Sequence, residues 1–393
     1  MKTDNAVLDC GGRSGFPATG LAPVVQQLVH YFGRVFMKLL RHLSRLTLVL
    51  VLLISRLEAA DAPTTVKVFI LAGQSNMEGK APNALFEHQA ADAKTKHLFA
   101  HLRKDDKWIV RDDVFIKFLE RHGGLTLGYG SPDRTGPELE LGTVLGDHFN
   151  EPVLLIKTAW GGHSLFKQFR SPSAGLPSDE KLQQELEQAQ ANVTKNNDKN
   201  KKSDPLPTLS DIKAPYGSSY RNMLSEVKAT LDNHETLFPS LRGKKLVLTG
   251  FVWFQGWNDQ YGAQDEYASN MQHFINDVRQ DLQTPKLPFV IAAMGQNGSK
   301  PAQGAMLTIQ NAQFAMQDIP EFQDNVKTIR TDVLIDKAAE DLYPKWKERF
   351  EEWKLTGGDH AYHYLGSAIW FTRIGDAMGK AMLELIEKNA HSR

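Results

Sequence analysis

The sequence predicts an α/β protein, a parallel sheet covered on both faces by helices. Short apolar runs recur along the chain, and longer helical stretches separate them. Residues 66–72 (VKVFILA), 153–158 (VLLIKT), 246–254 (LVLTGFVWF) and 289–294 (FVIAAM) are the strongest runs, and 326–331 is a weaker fifth. Each is short and nearly continuous in apolar residues, the pattern of a strand buried on both faces. Between the last three runs, residues 267–282 place Met271, Phe274, Ile275, Val278 and Leu282 on one helical face. Residues 369–386 form a second helix that closes the chain. Two stretches read as insertions. Residues 80–135 are rich in His, Asp and Gly, as long functional loops are. Residues 171–215 contain several prolines and a Lys/Asn/Asp run at 195–204, which reads as a solvated loop or helix end.

The chain has 393 residues, 41% hydrophobic and 23% charged, an ordinary composition for a globular enzyme. Lys+Arg and Asp+Glu each total 46, so no global field draws the chain to nucleic acid or an anionic membrane. Met37 opens a basic stretch, MKLLRHLSR, followed by an apolar run at 46–54 and the small residues Ala59 and Ala60. That order describes a secretory signal peptide. The expected organisation is therefore a mis-called extension at 1–36, a signal peptide at 37–60 and one catalytic domain at 61–393. The run is shorter than the roughly 20 residues that span a bilayer, so no stable membrane insertion is expected after cleavage. Arg56 close behind it leaves an uncleaved anchor as the alternative. The single cysteine, Cys10, falls in the extension. A cysteine-free exported domain suits a bacterial periplasm or exterior.

Four blocks carry chemistry. Ser75 follows the first strand in Gly73-Gln74-Ser75-Asn76-Met77, at the end of the sheet where ligands collect. Met77 stands where a nucleophile elbow needs glycine. The second strand ends in Trp160-Gly161-Gly162-His163, whose paired glycines let a backbone N–H approach a ligand. The third ends in Trp253-Phe254-Gln255-Gly256-Trp257-Asn258-Asp259, with a side-chain amide fit to stabilise an oxyanion. Near the C-terminus, Gly358-Asp359-His360-Ala361-Tyr362-His363 supplies an acid and two imidazoles. The histidines at 360 and 363 lack a further ligand cluster, so no metal site is expected.

Together these blocks resemble the SGNH hydrolase superfamily, and more narrowly its sialate O-acetylesterase-like group, over residues 66–385. The resemblance implies a three-layer α/β/α sandwich with a central parallel five-stranded sheet in flavodoxin-like order. It implies that Ser75 is the nucleophile, with its own N–H in the oxyanion hole beside Gly161 and the amide of Gln255. It places the base on His363, whose H-Y-x-G-S context fits better than that of His360. The superfamily sets an Asp three residues before that His. Here His360 holds the place, and Asp359, four before, is the candidate orienting acid. Gln74, Trp160, Gly162, Trp257 and Asn258 are candidates for substrate binding. The implied reaction is hydrolysis of an acetyl ester on a sugar or polysaccharide, with no cofactor and no nucleic-acid partner. Two rivals stay open: an SGNH lipase, thioesterase or arylesterase, and a non-catalytic carbohydrate-binding protein on the same fold.

Overall fold

The computed structural model describes residues 64–391. Contacts divide the chain into Met1–Ala62 and Pro63–Arg393, and the described residues belong to the second unit. The extension at 1–36 and the signal peptide at 37–60 lie outside the described residues.

Seven strands form the main sheet: β1 (Thr65–Gly73), β2 (Val114–Phe118), β3 (Arg121–Gly124), β4 (Val153–Ala159), β5 (Lys245–Phe254), β6 (Phe289–Ala292) and β7 (Val326–Ile329). Their order across the sheet is β7-β6-β5-β1-β4-β2-β3. All neighbours pair in parallel except β2 and β3, which form an antiparallel hairpin at the edge. The five apolar runs read from the sequence are the five adjacent strands β7-β6-β5-β1-β4. The expected five-stranded, all-parallel sheet is corrected to seven strands with one antiparallel edge. The hairpin lies inside the stretch read as loops. β3, with the sequence RHGG, has no apolar face to announce it and is held by backbone pairing to β2.

The principal helices are α1 (Ser75–Glu78), α2 (Asn83–Ala91), α3 (Glu138–His148), α4 (Asp179–Asn200), α5 (Ser218–Asp232), α6 (Tyr267–Asp281), α7 (Gly304–Ala315) and α8 (Ala368–His391). The alternation of β1 divides them between two cores. Phe69 and Leu71 pack with Leu85 of α2, Leu141 of α3, and Phe371 and Met378 of α8. Val66, Val68, Ile70 and Ala72 point the other way, among Met223 of α5, Phe274 of α6 and Ile309 of α7. Each such large side chain contributes about 1.5–3 kcal/mol through burial. β1 is thus the central strand of the sheet, and the turn at its C-terminal end is held from both sides. The Lys195-to-Asp204 run forms the exposed end of α4 and the loop beyond it. Among the described residues no helix is long and apolar enough to cross a membrane.

Register positions the site. Gly73 pairs with Ala159 of β4 and with Phe254 of β5, so three strands end side by side. The residues just beyond them, Gln74-Ser75, Trp160-Gly161 and Gln255-Gly256, are thereby neighbours. Gly73 is obligatory here: a Cβ would fall 2.2 Å from the Phe254 carbonyl oxygen.

Candidate active site

Ser75 opens α1 directly after β1, so its backbone N–H has no intrahelical acceptor. Its Oγ lies 3.0 Å from Nε2 of His363. Nδ1 of His363 lies 3.1 Å from Oδ1 of Asp359, an ion-pair distance whose angle is too oblique for a well-formed hydrogen bond. Such contacts are often loose in a free enzyme and tighten around substrate. Oδ1 of Asp359 also accepts the His360 backbone N–H at 2.7 Å, and Oδ2 accepts from Arg134 at 3.0 Å. Burial alone would raise the Asp359 carboxyl. The His363 ring, the His360 N–H and the Arg134 charge outweigh it and hold the group below its ordinary value.

The loop that presents His363 explains the four-residue spacing. Tyr364, Leu365 and Gly366 have φ of +52°, +60° and +57°, three successive left-handed residues. Non-glycine residues adopt this conformation at a cost of about 1–2 kcal/mol each. The turn folds the chain back so that the Leu365 carbonyl accepts the N–H groups of Gly358 at 2.8 Å and Asp359 at 3.0 Å. A closed loop results, with the acid and the histidine on facing sides. Tyr364 anchors it: its ring is fully buried, and its hydroxyl accepts the Gly295 N–H at 3.0 Å. Asn76 ties the same loop to α1 by donating from Nδ2 to the Tyr362 carbonyl at 3.1 Å.

A cavity of about 520 Å³ opens over Ser75 and His363, lined also by Gln74, Lys80, Gly161, Gly162, Trp257, Asn258, Tyr261 and Tyr362. Gly161 borders Ser75: a Cβ there would lie 3.8 Å from the Cβ of Ser75. Trp160 is not part of this lining. Its ring stacks with His163, centroids 6.4 Å apart, and packs on Phe169. Gln255 is also set apart. It is buried, and Nε2 donates to Asp259 at 2.6 Å, the His163 carbonyl at 3.1 Å and Gln74 Oε1 at 3.2 Å. Those acceptors consume the amide expected to meet the oxyanion.

Gln74 transmits this order to the pocket. Its Oε1 also accepts the backbone N–H groups of Gly256 and Asn258, which fixes the amide orientation. Nε2 of Gln74 then donates to Oδ1 of Asn258 at 3.0 Å, which engages the oxygen end of that amide. Asn258 lines the cavity, three positions beyond Gln255.

Asp259 supports the arrangement from beneath, accepting from the backbone N–H groups of Leu165 at 3.0 Å and Phe166 at 2.8 Å. Burial pushes its carboxyl up to about 6, against the hydrogen bonds from Gln255, Leu165 and Phe166. A raised folded-state value means that the folded form holds the proton more tightly. The associated stability is full below the ordinary carboxylate value and is lost as pH rises through about 6. Chemical denaturation should show wild type losing on the order of 2–3 kcal/mol relative to Asp259→Asn between roughly pH 4 and pH 7. A difference that is flat with pH would exclude this assignment.

Sequence reasoning passed over three polar residues at this site. Lys80, on the cavity wall, donates to Glu78 at 3.0 Å and to the Ser131 hydroxyl at 2.6 Å. Arg134 comes from the same insertion as Ser131. Among the described residues no group of three or more His, Cys, Asp or Glu side chains is placed to hold a metal ion.

A serine beyond the central strand of a mostly parallel sheet, in contact with a histidine and an aspartate from the loop before the last helix, marks the candidate site of this α/β protein. The chain belongs to the family described as carbohydrate esterase, sialic acid-specific acetylesterase, whose sequence model matches residues 65–202 and 208–341. The match ends before the loop that bears Asp359 and His363. No curated protein sequence matches the chain. Among solved structures, it is similar to a protein from Arabidopsis thaliana at 15% identity and a TM-score of 0.45, over 82% of this chain and 98% of that one. It is also similar to a novel carbohydrate acetylesterase from Xanthomonas citri at 13% identity and a TM-score of 0.41, over 81% of this chain and 56% of that one.

Proposed function

We propose that the protein is a serine esterase that removes acetyl groups from a sugar or polysaccharide. The 3.0 Å contact between Ser75 Oγ and His363 Nε2, at the floor of an open cavity, carries this reading. His363 takes the serine proton as Oγ attacks the acetyl carbonyl, then returns it to the departing sugar hydroxyl. Water repeats the sequence on the acyl-enzyme and releases acetate. Asp359 orients the ring and stabilises its charged form. The oxyanion is met by the backbone N–H groups of Ser75 and Gly161.

The side-chain donor in this reading passes from Gln255 to Nδ2 of Asn258, because Gln74 engages the Asn258 oxygen and Asn258 lines the cavity. Asn258→Ala should lower kcat by about 10²–10³-fold, the usual cost of one oxyanion donor. Gln255→Ala should register mainly as lost stability, by removing one donor each from the buried Asp259 and Gln74. The assignment falls if Asn258→Ala changes only KM.

The wall of the cavity supports a reading of the substrate class. The ion pair of Lys80 with Glu78 leaves that wall without a net cation. Acetylated neutral sugars are therefore expected as substrates alongside acetylated sialic acid. Acetate release from acetylated xylan, acetylated sialic acid and a long-chain ester tests this, and a preference for the long-chain ester would overturn it. Export rests on the basic and apolar stretch after Met37. N-terminal sequencing of protein recovered from periplasm or medium should then begin near Asp61.

A further inference from the structure

We infer that a second cavity, on the far side of Asp359 from Ser75, is a distal carbohydrate subsite, so that the substrate is an oligosaccharide or polysaccharide chain. The inference deepens the proposed reading and rests on it for the reaction, though not for binding. The cavity measures about 480 Å³, within the range of small-molecule sites. Tyr343, Trp346, Phe350 and Trp353 line it, with Lys354 and His360 among its polar groups. Phe350 is 48% exposed, a large aromatic face open to solvent.

Three observations select a sugar. First, a run of ring contacts links the lining of this cavity to that of the catalytic pocket. Trp346 meets His360 edge-on at 6.2 Å, His360 stacks with Tyr362 at 5.2 Å, and Tyr362 lies 5.9 Å from Trp257. Tyr362 and Trp257 line the catalytic pocket itself. Second, the lining combines ring faces with Lys354, His360 and Arg134. A pyranose presents apolar C–H faces and polar hydroxyls and matches both, whereas an alkyl chain matches the rings alone. Third, the acid–histidine pair stands between this cavity and Ser75. An acyl chain grows from the carbonyl carbon at Ser75 and would have to pass that pair. A glycan extends from the alcohol side and can cross the rim along Tyr362.

The segment that supplies these rings lies beyond residue 341, where the family match ends. Such a subsite gives the enzyme a reason to prefer long substrates.

The test uses Trp346→Ala and, because its ring is more exposed, Phe350→Ala as a second variant less prone to disturb folding. Both should hydrolyse 4-nitrophenyl acetate within about twofold of wild type. On an acetylated xylohexaose their kcat/KM should fall about tenfold, mainly through KM, with no such fall on an acetylated monosaccharide. Equal losses on 4-nitrophenyl acetate, or wild-type rates on the hexamer in both variants, would overturn the subsite. Calorimetric titration with unacetylated xylohexaose and a sialic acid hexamer separates this inference from the esterase reading. Binding by wild type that both variants weaken upholds the subsite even if no ester is cleaved. Failure of wild type to bind either probe, or undiminished binding by the variants, refutes it.

Discussion

Ser75→Ala is expected to reduce kcat on 4-nitrophenyl acetate by about 10⁴–10⁶-fold, the scale on which a serine nucleophile is lost. On the proposed mechanism His363→Ala should cost nearly as much, because a serine hydroxyl without the imidazole 3.0 Å away is a poor nucleophile. The double variant should then lose little more than either single one, since the two act as a unit. Asp359→Asn should fall less far, by about 10²–10⁴-fold, through misorientation of the imidazole. Arg134→Ala acts one contact further out and should be milder still. Stopped-flow and steady-state assays with purified variants settle the order. Retention of wild-type activity by Ser75→Ala would remove the serine mechanism altogether, and full additivity of the double variant would show that Ser75 and His363 work separately.

What is legible in the sequence is what the strands dictate. Ser75 and Gly161 each follow a buried apolar run, and parallel register makes the ends of such runs neighbours. Gln255 follows one too, but the direction of its side chain depends on acceptors from two other segments, Gln74 and His163, as well as on Asp259 of its own block. No local pattern announces that convergence, so the sequence predicts the amide in the pocket, and it lies beneath. The acid shows the reverse case. The displacement of Asp359 by one residue leaves its role open in the sequence, and the left-handed turn at Tyr364–Gly366 brings it to His363 all the same. Arg134, Lys80 and Ser131 come from a stretch without strong periodicity. Their value lies in contacts up to 225 positions away, which only the folded chain displays.

The largest effect on stability should come from the interior beneath α1. Lys157 of β4 and Glu138 of α3 form an ion pair at 2.9 Å with both side chains fully buried. Burial draws the Lys157 ammonium below its ordinary value while the Glu138 charge opposes that shift. All three ammonium donors are used: on Glu138, on the Glu78 carbonyl at 2.7 Å and on the Tyr129 carbonyl at 2.7 Å. Lys157→Met keeps the stem and removes the charge, leaving a buried carboxylate and two carbonyls unpaired. A loss of about 3–5 kcal/mol is expected in urea denaturation. Pairing it with Glu138→Leu should recover much of that loss, because the desolvation penalty of both charges then disappears together. Catalysis should not recover in parallel. Glu78 ends the helix that Ser75 begins, and the Lys157 bond to its carbonyl fixes that helix against β4. The double variant should therefore be nearly as stable as wild type yet lower in kcat, with KM less affected. If its kcat equals that of wild type, the ion pair serves stability alone and the placement of Ser75 is secured by β1 and Gln74 without it.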